Sequence, residues 1–355
     1  DRPKLRQSFD DPGCCDGPDQ PTLNYGARRV IRFILGRLVK AVFILLAILV
    51  FNFLLIHAAP GDPAAVMAGE AGAADEKFLA DLRMRFGLDQ PLYIQLWTYL
   101  KGAVQFDLGF SYRQQMPVAE LIASRLPATL LLTGVAFVLS LVLGVMAGVA
   151  ASARQGSWGD TVISTLALLF YATPLFWVAL MASLVFSVWL GWLPGFGYQT
   201  IGTIGANYTG FAHVLDVAKH LVLPATTLGL FFMAIYMRMT RASMLEVSRL
   251  DFVKTARAKG LKRSVIQRRH ILRNALLPVI TLAGLQAGQI FGGAILTETV
   301  FAWPGIGRLM FEAINQRDYA VILGVFYISG AMVLLFNLVT DVVYVIVDPR
   351  IRLTT

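Results

Sequence analysis

Basic side chains are concentrated between residues 251 and 278, where the sequence reads DFVKTARAKGLKRSVIQRRHILRNALLP. Long apolar runs precede and follow this segment. Nowhere in the chain do His, Asp and Glu cluster in the way that an active site requires. The pattern therefore indicates that this segment binds a partner and does not catalyse a reaction. A segment with so many charges cannot lie in hydrocarbon. We therefore predict that residues 251–278 form a folded docking surface on one side of a membrane.

A short helix is predicted at the start of this segment. Asp251 can act as its N-cap, and Gly260 can end it in the left-handed conformation that glycine tolerates. One side of the helix is apolar and is surrounded by bases, which predicts an apolar knob in a basic collar. The knob consists of Phe252, Val253 and Ala256, and the collar consists of Lys254, Arg257 and Lys259. A simpler interpretation is a basic loop that lies flat on lipid headgroups.

The composition indicates a membrane protein. Of the 355 residues, 56% are hydrophobic and 15% are charged, and the mean hydropathy is +0.63. Charged residues divide the chain into apolar windows that are long enough for helices to cross a hydrocarbon core of about 30 Å. We predict an all-α membrane protein with six transmembrane helices, at residues 40–62, 125–154, 160–190, 220–237, 274–297 and 319–347.

Proline and glycine mark the irregularities expected in these spans. Pro127 fits the first turn of the second span, and Pro174 is expected to kink the third. Residues 189–205 are rich in glycine and aromatic side chains, so no further helix is predicted there. Gly144 and Gly148 are expected to allow close packing of the second span.

Lysine and arginine are retained on the cytoplasmic side near the ends of spans, which predicts the orientation. Bases are dense before the first span, in the loop 241–275 and after the sixth span, whereas acids outnumber bases in residues 62–125. Both termini are therefore expected in the cytoplasm. The predicted organisation is a disordered cytoplasmic extension at 1–27, a first helix with its basic flank at 28–61, a folded and partly helical external region at 62–125, a five-helix core at 126–347 and a cytoplasmic tail at 348–355.

Several other kinds of chemistry are not supported by the sequence. The chain contains no GxxxxGK segment followed by Ser or Thr, so we expect ATP to be bound elsewhere. The four histidines are scattered, which argues against a metal site, and His57 is interpreted as a hydrogen-bonded side chain. Cys14 and Cys15 match no zinc spacing and are expected to be reduced. The net charge of +9 follows from the topology and from contact with anionic lipid, and it does not indicate nucleic acid.

The docking segment resembles a loop in the permease subunits of ABC importers, in the dipeptide, oligopeptide and nickel branch. Residues 254–260 are similar to the EAA loop of that family, and residues 269–278 are similar to its RH-x-LR-x-ALLP block. The resemblance implies a type I ABC importer permease fold with a cytoplasmic coupling helix that binds an ATPase subunit. The residues that match this coupling helix are Asp251, Phe252, Lys254, Thr255, Ala256, Arg257, Ala258 and Gly260.

Further blocks of the same family occur in order from about residue 30 to the end. They lie at residues 59–63, 85–92, 107–111, 117–129, 298–309, 317–319 and 348–352. One departure is Phe106, which stands where the family usually has a glycine. The resemblance implies that the external loops face a substrate-binding protein, and these loops contain Asp62, Asp107, Trp303 and Arg317.

The resemblance also implies partners and a location. The expected partners are a paralogous second permease subunit, two ATP-binding cassette subunits that bind ATP and Mg, an extracytoplasmic substrate-binding protein and the lipid membrane. The chain itself is expected to carry no cofactor and to be no enzyme, and its location is the cytoplasmic membrane of a bacterium or archaeon. The implied cargo is a dipeptide, an oligopeptide or a related small solute. Glutathione, a nickel chelate and an opine remain open alternatives.

Two features inside the membrane have competing interpretations. Gly284, Gly288 and Gly292 recur at every fourth position of the fifth span, which suits close helix packing. A sharper hypothesis is that these glycines line the contact with the partner permease. Asp341 lies at membrane depth and could bind substrate or protons. We prefer a structural role in which Asp341 pairs with a base from the coupling region.

Two other classes of function fit the sequence less well. A secondary transporter or channel is expected to carry several intramembrane charges, or discontinuous helices in paired halves. A membrane-embedded enzyme is expected to hold a nucleophile with a base, or clustered acids and histidines, at one depth. Neither pattern is clear in this chain, so the sequence favours the permease.

Overall fold

The computed structural model describes residues 22–58, 89–200 and 210–347. Most of these residues are helical, as expected for the all-α class. In chain order the elements are α1 Thr22–Ala58, α2 Leu92–Val104, β1 Phe110–Ser111, β2 Met116–Pro117, α3 Val118–Ala153, α4 Trp158–Ala172, α5 Leu175–Ser183, α6 Phe211–Val247, α7 Asp251–Ala258, α8 Arg263–Val265, α9 Leu272–Val300, α10 Ile306–Gln316 and α11 Tyr319–Val347. The π-helical segment Leu184–Trp189 extends α5, and Ile266–Ile271 joins α8 to α9.

Among the described residues, five helical segments are long and apolar enough to cross a bilayer, and they lie in α1, α3, α6, α8 with α9, and α11. The predicted third span is instead two helices, α4 and α5, whose directions differ by 102°. Pro174 has no N–H group to continue α4, and Thr173 before it is extended with φ −81° and ψ 136°. The expected kink is therefore a full break.

Several predicted boundaries are wrong because helices continue beyond the apolar windows. α3 begins at Val118, so Pro127 lies inside this helix and not in its first turn. α6 has 37 residues, or about 55 Å at 1.5 Å per residue, which is far more than the bilayer core requires. α1 begins at Thr22, inside the predicted extension. Residues 1–21, with Cys14 and Cys15, and the tail 348–355 lie outside the described residues.

The most extensive helix contact is between α3 and α6. A Cβ atom on Gly144 would lie 2.5 Å from the Cβ of Tyr236, and one on Gly148 would lie 2.6 Å from the Cβ of Thr240. The predicted role of both glycines in close packing is thus confirmed. The core around this pair is completed by α9, and its most deeply buried side chains include Leu132, Leu228, Tyr236, Val279 and Ile290.

The region after the first span is folded where the structure describes it. α2 packs against α1 and α11 in a small core of Leu49, Ala103 and Tyr327. Burial raises the pKa of the Tyr99 phenol to about 12, and a hydrogen bond with Asn52 opposes this shift. The helix α2 confirms that region 62–125 is partly helical. Residues 59–88, which include Asp62, lie outside the described residues.

Candidate functional site

α7 lies on a core that is shared by the ends of two long helices. Val253 is fully buried and Ala256 is 6% exposed. They pack with Met244 of α6, with Ile266 and Ile271 of the π-helical segment, and with Ala275 of α9. The predicted apolar knob is thus wrong for Val253 and Ala256, because their side chains point into the chain. Phe252 points outward and is 41% exposed.

The ends of α7 agree only partly with the sequence prediction. Leu250 is the N-cap residue and makes no side-chain capping bond, so the expected N-cap role of Asp251 is wrong. Asp251 lies in the first turn, where its negative charge favours the helix dipole, and it accepts a hydrogen bond of 2.8 Å from Lys254 Nζ. Gly260 has φ +74°, which confirms the left-handed end after α7.

The outer face of this region is basic and partly apolar. Its exposed bases are Lys254, Arg257, Lys259, Lys262, Arg263, Arg268, Arg269 and Arg273. Within the described part of the chain, the pair of Lys254 with Asp251 is the one ion pair on this face. Apolar side chains lie among these bases and are 39–47% exposed: Leu250, Phe252, Leu261 and Val265. We call this face, residues 250–273, the docking surface.

A cavity of about 570 Å³ opens beside the docking surface. It lies between the C-terminal ends of α3 and α6 and the segment that leads into α9. Arg257, Leu261 and Arg263 are among its lining residues. Arg263 also donates a hydrogen bond of 3.3 Å to the carbonyl of Ala153, the last residue of α3. The docking surface is therefore fixed to the ends of three long helices.

An ion pair joins α6 to the broken span. Arg241 Nε and Nη2 each donate to one carboxylate oxygen of Asp160, at 2.7 Å in both cases. The same carboxylate accepts the backbone N–H of Gly156 at 3.1 Å. Asp160 is 5% exposed and lies in the first turn of α4. Because α6 leads into α7, this pair connects the docking surface to α4.

At the opposite end of the molecule, a buried carboxylate joins α3, α9 and α10. Glu298 is fully buried; its Oε1 accepts the Thr129 hydroxyl at 2.7 Å, and its Oε2 accepts the backbone N–H of Gly307 at 2.8 Å. The Thr129 oxygen accepts the N–H of Ile306 at 2.8 Å. A side chain on Gly305 would overlap the carboxylate, so only glycine fits there. We call this arrangement the outer clasp.

A second polar contact closes the same end of the molecule. β1 and β2 form an antiparallel pair in which Ser111 is opposite Met116. The Ser111 hydroxyl donates to Asp318 at 2.5 Å, and the other Asp318 oxygen accepts the N–H of Val321 at 3.2 Å. The sequence blocks at 107–111 and 317–319 therefore meet in space, as do those at 117–129 and 298–309.

Two family models match the chain. One is described as the inner membrane component of binding-protein-dependent transport systems and matches residues 140–353, and the other describes the N-terminal part of such components and matches residues 30–133. The chain belongs to this family. It is the membrane-spanning permease component of a binding-protein-dependent ABC importer.

The permease is similar to characterised transport permeases over nearly its whole length. It is 41% identical over 334 residues to the dipeptide transport system permease protein DppB of Alkalihalophilus pseudofirmus, which covers 91% of this chain and 100% of the relative. It is 40% identical over 323 residues to the glutathione transport system permease protein GsiC of Escherichia coli, with 91% and 99% covered. The DppB protein of Escherichia coli is 39% identical over 337 residues, with 91% and 99% covered.

A solved structure supports the fold. The MetNI methionine ABC transporter, in an inward-facing conformation, matches with a TM-score of 0.50 and 18% identity. The match covers 64% of the permease and 96% of the MetNI chain. At this identity the likeness concerns the fold alone, and it confirms the predicted type I importer permease architecture.

The residues expected in the external loops have different positions. Trp303 is fully buried and donates a hydrogen bond of 2.8 Å from Nε1 to the carbonyl of Ala128, so its side chain cannot face a delivery protein. Asp107 and Arg317 are exposed. Arg317 ends α10 with φ +57° and directly precedes Asp318, so these loops lie together beside the outer clasp. Asp62 lies outside the described residues.

The glycines of the fifth span have different neighbours. A Cβ atom on Gly284 would overlap Thr340, and one on Gly288 would lie 3.2 Å from Val333, so both glycines pack against α11 of the same chain. Gly292 is exposed and has nothing within 4 Å of such an atom. Of the three glycines, Gly292 alone faces open space among the described residues.

Two further expectations concern ionisable side chains. Asp341 makes an ion pair with Arg37 of α1 at 3.1 Å, so the predicted partner in the coupling region is wrong while the structural pairing is correct. The sequence separation of the two helices concealed this contact. His57 makes hydrogen bonds with the Phe53 carbonyl at 2.9 Å and with Gln95 Oε1 at 3.0 Å, which confirms its interpretation.

The polar residues that hold these surfaces in place are not evident from the sequence. They are Thr129, Asp160, Arg241, Glu298 and Asp318. The available signal was a single acid or threonine at the edge of an apolar window, as for Asp160 and Glu298. A buried carboxylate in such a place needs donors. The sequence gives no indication of which donors these are.

Proposed function

We propose that the permease works as one of two paralogous membrane subunits in an ATP-driven importer of dipeptides, oligopeptides or related small solutes. A delivery protein outside the cytoplasmic membrane supplies the cargo. Two ATP-binding cassette subunits bind ATP and Mg and hydrolyse the nucleotide, and this chain supplies no cofactor and no catalytic residue. The membrane belongs to a bacterium or archaeon, and both termini of the chain lie in the cytoplasm.

The observation that carries the proposal is the way α7 is held. Val253 and Ala256 fix the helix to the ends of α6 and α9, while Phe252, Lys254 and Arg257 remain exposed on its outer side. A partner that binds this outer side moves two spans together, because α7 is closely packed against the ends of both α6 and α9. A loop that only rested on lipid headgroups would not require such a core.

The ion pair of Arg241 with Asp160 extends this coupling to the broken span. A shift of α6 is transmitted to α4 through two charge-assisted hydrogen bonds of 2.7 Å. We infer that closure of the ATPase subunits tilts α6 and α9 and, through this pair, displaces α4 as well. The bundle then alternates between inward-open and outward-open states.

The cargo is proposed from the relatives. Permeases named for dipeptide and for glutathione transport are each about 40% identical to this chain over nearly all of its length. Both cargoes are small peptides with free carboxylates. This common chemistry supports small peptides as the cargo class.

The coupling role can be tested on the complete assembly in membranes. Arg257→Glu reverses a charge on the docking surface and is expected to lower co-purification of the ATPase subunits at least tenfold, together with cargo-stimulated ATP hydrolysis. The matched control is Lys101→Glu, which makes the same charge change in the exposed part of α2 and should leave both measurements unchanged. Normal ATPase association in Arg257→Glu would refute the coupling assignment.

The cargo can be tested with the assembly in proteoliposomes and its delivery protein on the outside. Radiolabelled alanylalanine and glutathione are expected to accumulate only when ATP is enclosed in the proteoliposomes, where the ATPase subunits can bind it. Mass spectrometry of the ligand that co-purifies with the delivery protein identifies the natural solute. Accumulation without ATP would favour a secondary transporter, and failure of every peptide would exclude the proposed cargo class.

A further inference from the structure

A cavity of about 410 Å³ lies at the end of the molecule that carries the outer clasp. It is lined by Ser124, Arg125, Pro127, Ala128, Tyr198 and Pro304. The other end of α3 is held by the docking surface, through the bond from Arg263 to Ala153. Because Arg125 precedes Ala153 by 28 residues of continuous helix, about 42 Å of helix separates the two sites. The cavity is therefore remote from the ATPase-docking end.

Arg125 is half-buried in this cavity and has no partner in the described part of the chain. The carboxylate of the outer clasp, Glu298, already accepts hydrogen bonds from Thr129, Gly307 and Arg308. An arginine that lines a cavity and has no acceptor among the described residues can bind an anion there.

The other walls of the cavity suit a small organic anion. The ring of Tyr198 packs against Trp303 with 4.8 Å between ring centroids, and the Tyr198 hydroxyl has no hydrogen bond within the described residues. Pro127 and Pro304 supply rigid apolar surface beside these donors. Ala128 is fixed by the hydrogen bond from Trp303, so the wall is held by the outer clasp. The wall that carries Tyr198 is therefore held in place and loses little conformational freedom when a ligand binds.

We propose that this cavity is a binding subsite for a carboxylate group of the cargo, with Arg125 as the residue that binds the anion. The planar guanidinium can donate two parallel N–H bonds to the two carboxylate oxygens, and the Tyr198 hydroxyl can supply a third donor. This assignment rests on the proposed function, because small peptides carry a free carboxylate. The subsite receives the cargo at the outer end, before the spans open toward the cytoplasm.

Transport by the complete assembly in proteoliposomes gives the first test, with radiolabelled alanylalanine as the probe. Arg125→Gln is expected to lower the maximal uptake rate about tenfold. Arg125→Lys is expected to retain an intermediate rate, because lysine keeps the positive charge and lacks the two parallel N–H donors of the guanidinium. Lys101→Gln, which removes a base from exposed α2, serves as the control. Wild-type uptake in Arg125→Gln would overturn the proposal. So would a rise only in the concentration of delivery protein needed for half-maximal uptake, because that result assigns Arg125 to the delivery protein.

A second test does not depend on the cargo. Ser124→Cys, in a background with Cys14→Ser and Cys15→Ser, places a thiol on the cavity wall beside Arg125. The measured quantity is the labelling rate with an anionic methanethiosulfonate divided by the rate with a cationic one. This ratio is expected to be at least fivefold higher when Arg125 is present than when Arg125→Gln is added. A ratio that Arg125→Gln leaves unchanged would show that the guanidinium is neutralised in the assembly, and the subsite would be refuted.

The two tests separate the inference from the proposed function. If the wild-type assembly transports no peptide while the labelling ratio depends on Arg125, the cargo class is wrong and the anion subsite stands. If the wild-type assembly transports alanylalanine while both Arg125 variants do so at the normal rate, the cargo class stands and the subsite is wrong.

Discussion

Arg241 of α6 holds both carboxylate oxygens of Asp160 of α4 at 2.7 Å, across 81 residues of sequence. The pair lies between the helix that leads into the docking surface and the half of the broken span nearest to it. Asp160 is almost completely buried, so this ion pair adds a polar contact to the apolar packing between the two helices.

Asp160→Asn is expected to weaken this connection without changing the size of the side chain. Each hydrogen bond to a charged group contributes about 1.5–3 kcal/mol, and the partial exposure of Arg241 places the expected loss of stability near the low end of this range. Peptide uptake per ATP hydrolysed should fall more than ATP hydrolysis itself. Thermal unfolding of the purified assembly and uptake in proteoliposomes measure the two effects.

The charge-swapped pair Asp160→Arg with Arg241→Asp provides the control for this prediction. The double variant restores attraction between the same helices, so it should recover part of the coupling that Asp160→Arg or Arg241→Asp loses alone. If both of these single variants keep the wild-type ratio of uptake to ATP hydrolysis, the ion pair does not transmit motion.

Glu298→Gln is expected to destabilise the outer clasp. The carboxylate accepts hydrogen bonds from the Thr129 hydroxyl and from the N–H groups of Gly307 and Arg308. The amide of glutamine would direct its own NH2 group at one of these donors and leave it unpaired, at about 1–3 kcal/mol. The midpoint of thermal unfolding should fall.

Glu312→Gln is the matched control for Glu298→Gln, since it makes the same chemical change in the adjacent helix α10. Glu312 forms a partly exposed pair with Arg308 at 2.7 Å, and such pairs contribute about 1 kcal/mol or less. Equal effects of the two substitutions on the unfolding midpoint would contradict the role assigned to Glu298.

Gly284→Leu and Gly292→Leu are expected to have different effects although they make the same change eight residues apart. A side chain at Gly284 collides with Thr340 of α11, and overpacking of this kind destabilises by about 1–3 kcal/mol. Gly284→Leu should therefore lower the unfolding midpoint of the permease.

Gly292 faces open space, so Gly292→Leu should leave the stability of the chain unchanged and reduce co-purification of the second permease. Affinity purification with a tag on that partner measures the association. Normal assembly in Gly292→Leu would place the contact between the two permeases elsewhere on the surface.

Phe106→Gly is expected to stabilise the permease. Phe106 has φ +58°, a left-handed conformation that a bulky residue adopts only with strain, and its side chain is 65% exposed. Glycine removes the strain, although its greater freedom in the unfolded chain offsets part of the gain, which leaves up to about 1 kcal/mol. Phe106→Ala keeps the strained backbone and should give no such increase, so an equal rise in both unfolding midpoints would point to the loss of the exposed ring instead.

The sequence predicted those elements whose cause is local. An apolar window of about 20 residues specifies a membrane helix by its own composition, and α11 was predicted at Tyr319–Val347 as found. Gly260 ends α7 because glycine alone tolerates φ +74° freely. The order of the family blocks is also a property of the sequence, and it indicates the class of protein.

The orientation of side chains around those helices was not visible in the sequence. The predicted apolar knob of α7 is mostly buried, because α6 and α9 meet beneath it and offer Val253 and Ala256 a core. The break at Pro174 was predicted only as a kink, since the change in direction depends on where α5 can pack.

The sequence by itself determined that this chain is a polytopic helical permease with one basic docking segment, because hydropathy and charge act residue by residue. The tertiary structure alone decided which charges are paired. Asp160 and Arg241 are 81 residues apart, and Thr129 and Glu298 are 169 residues apart, so no local pattern connects them. A buried carboxylate is stable only where the fold supplies its donors, and packing of the long helices supplies them for Asp160 and Glu298. The same packing leaves Arg125 without a partner within the described residues.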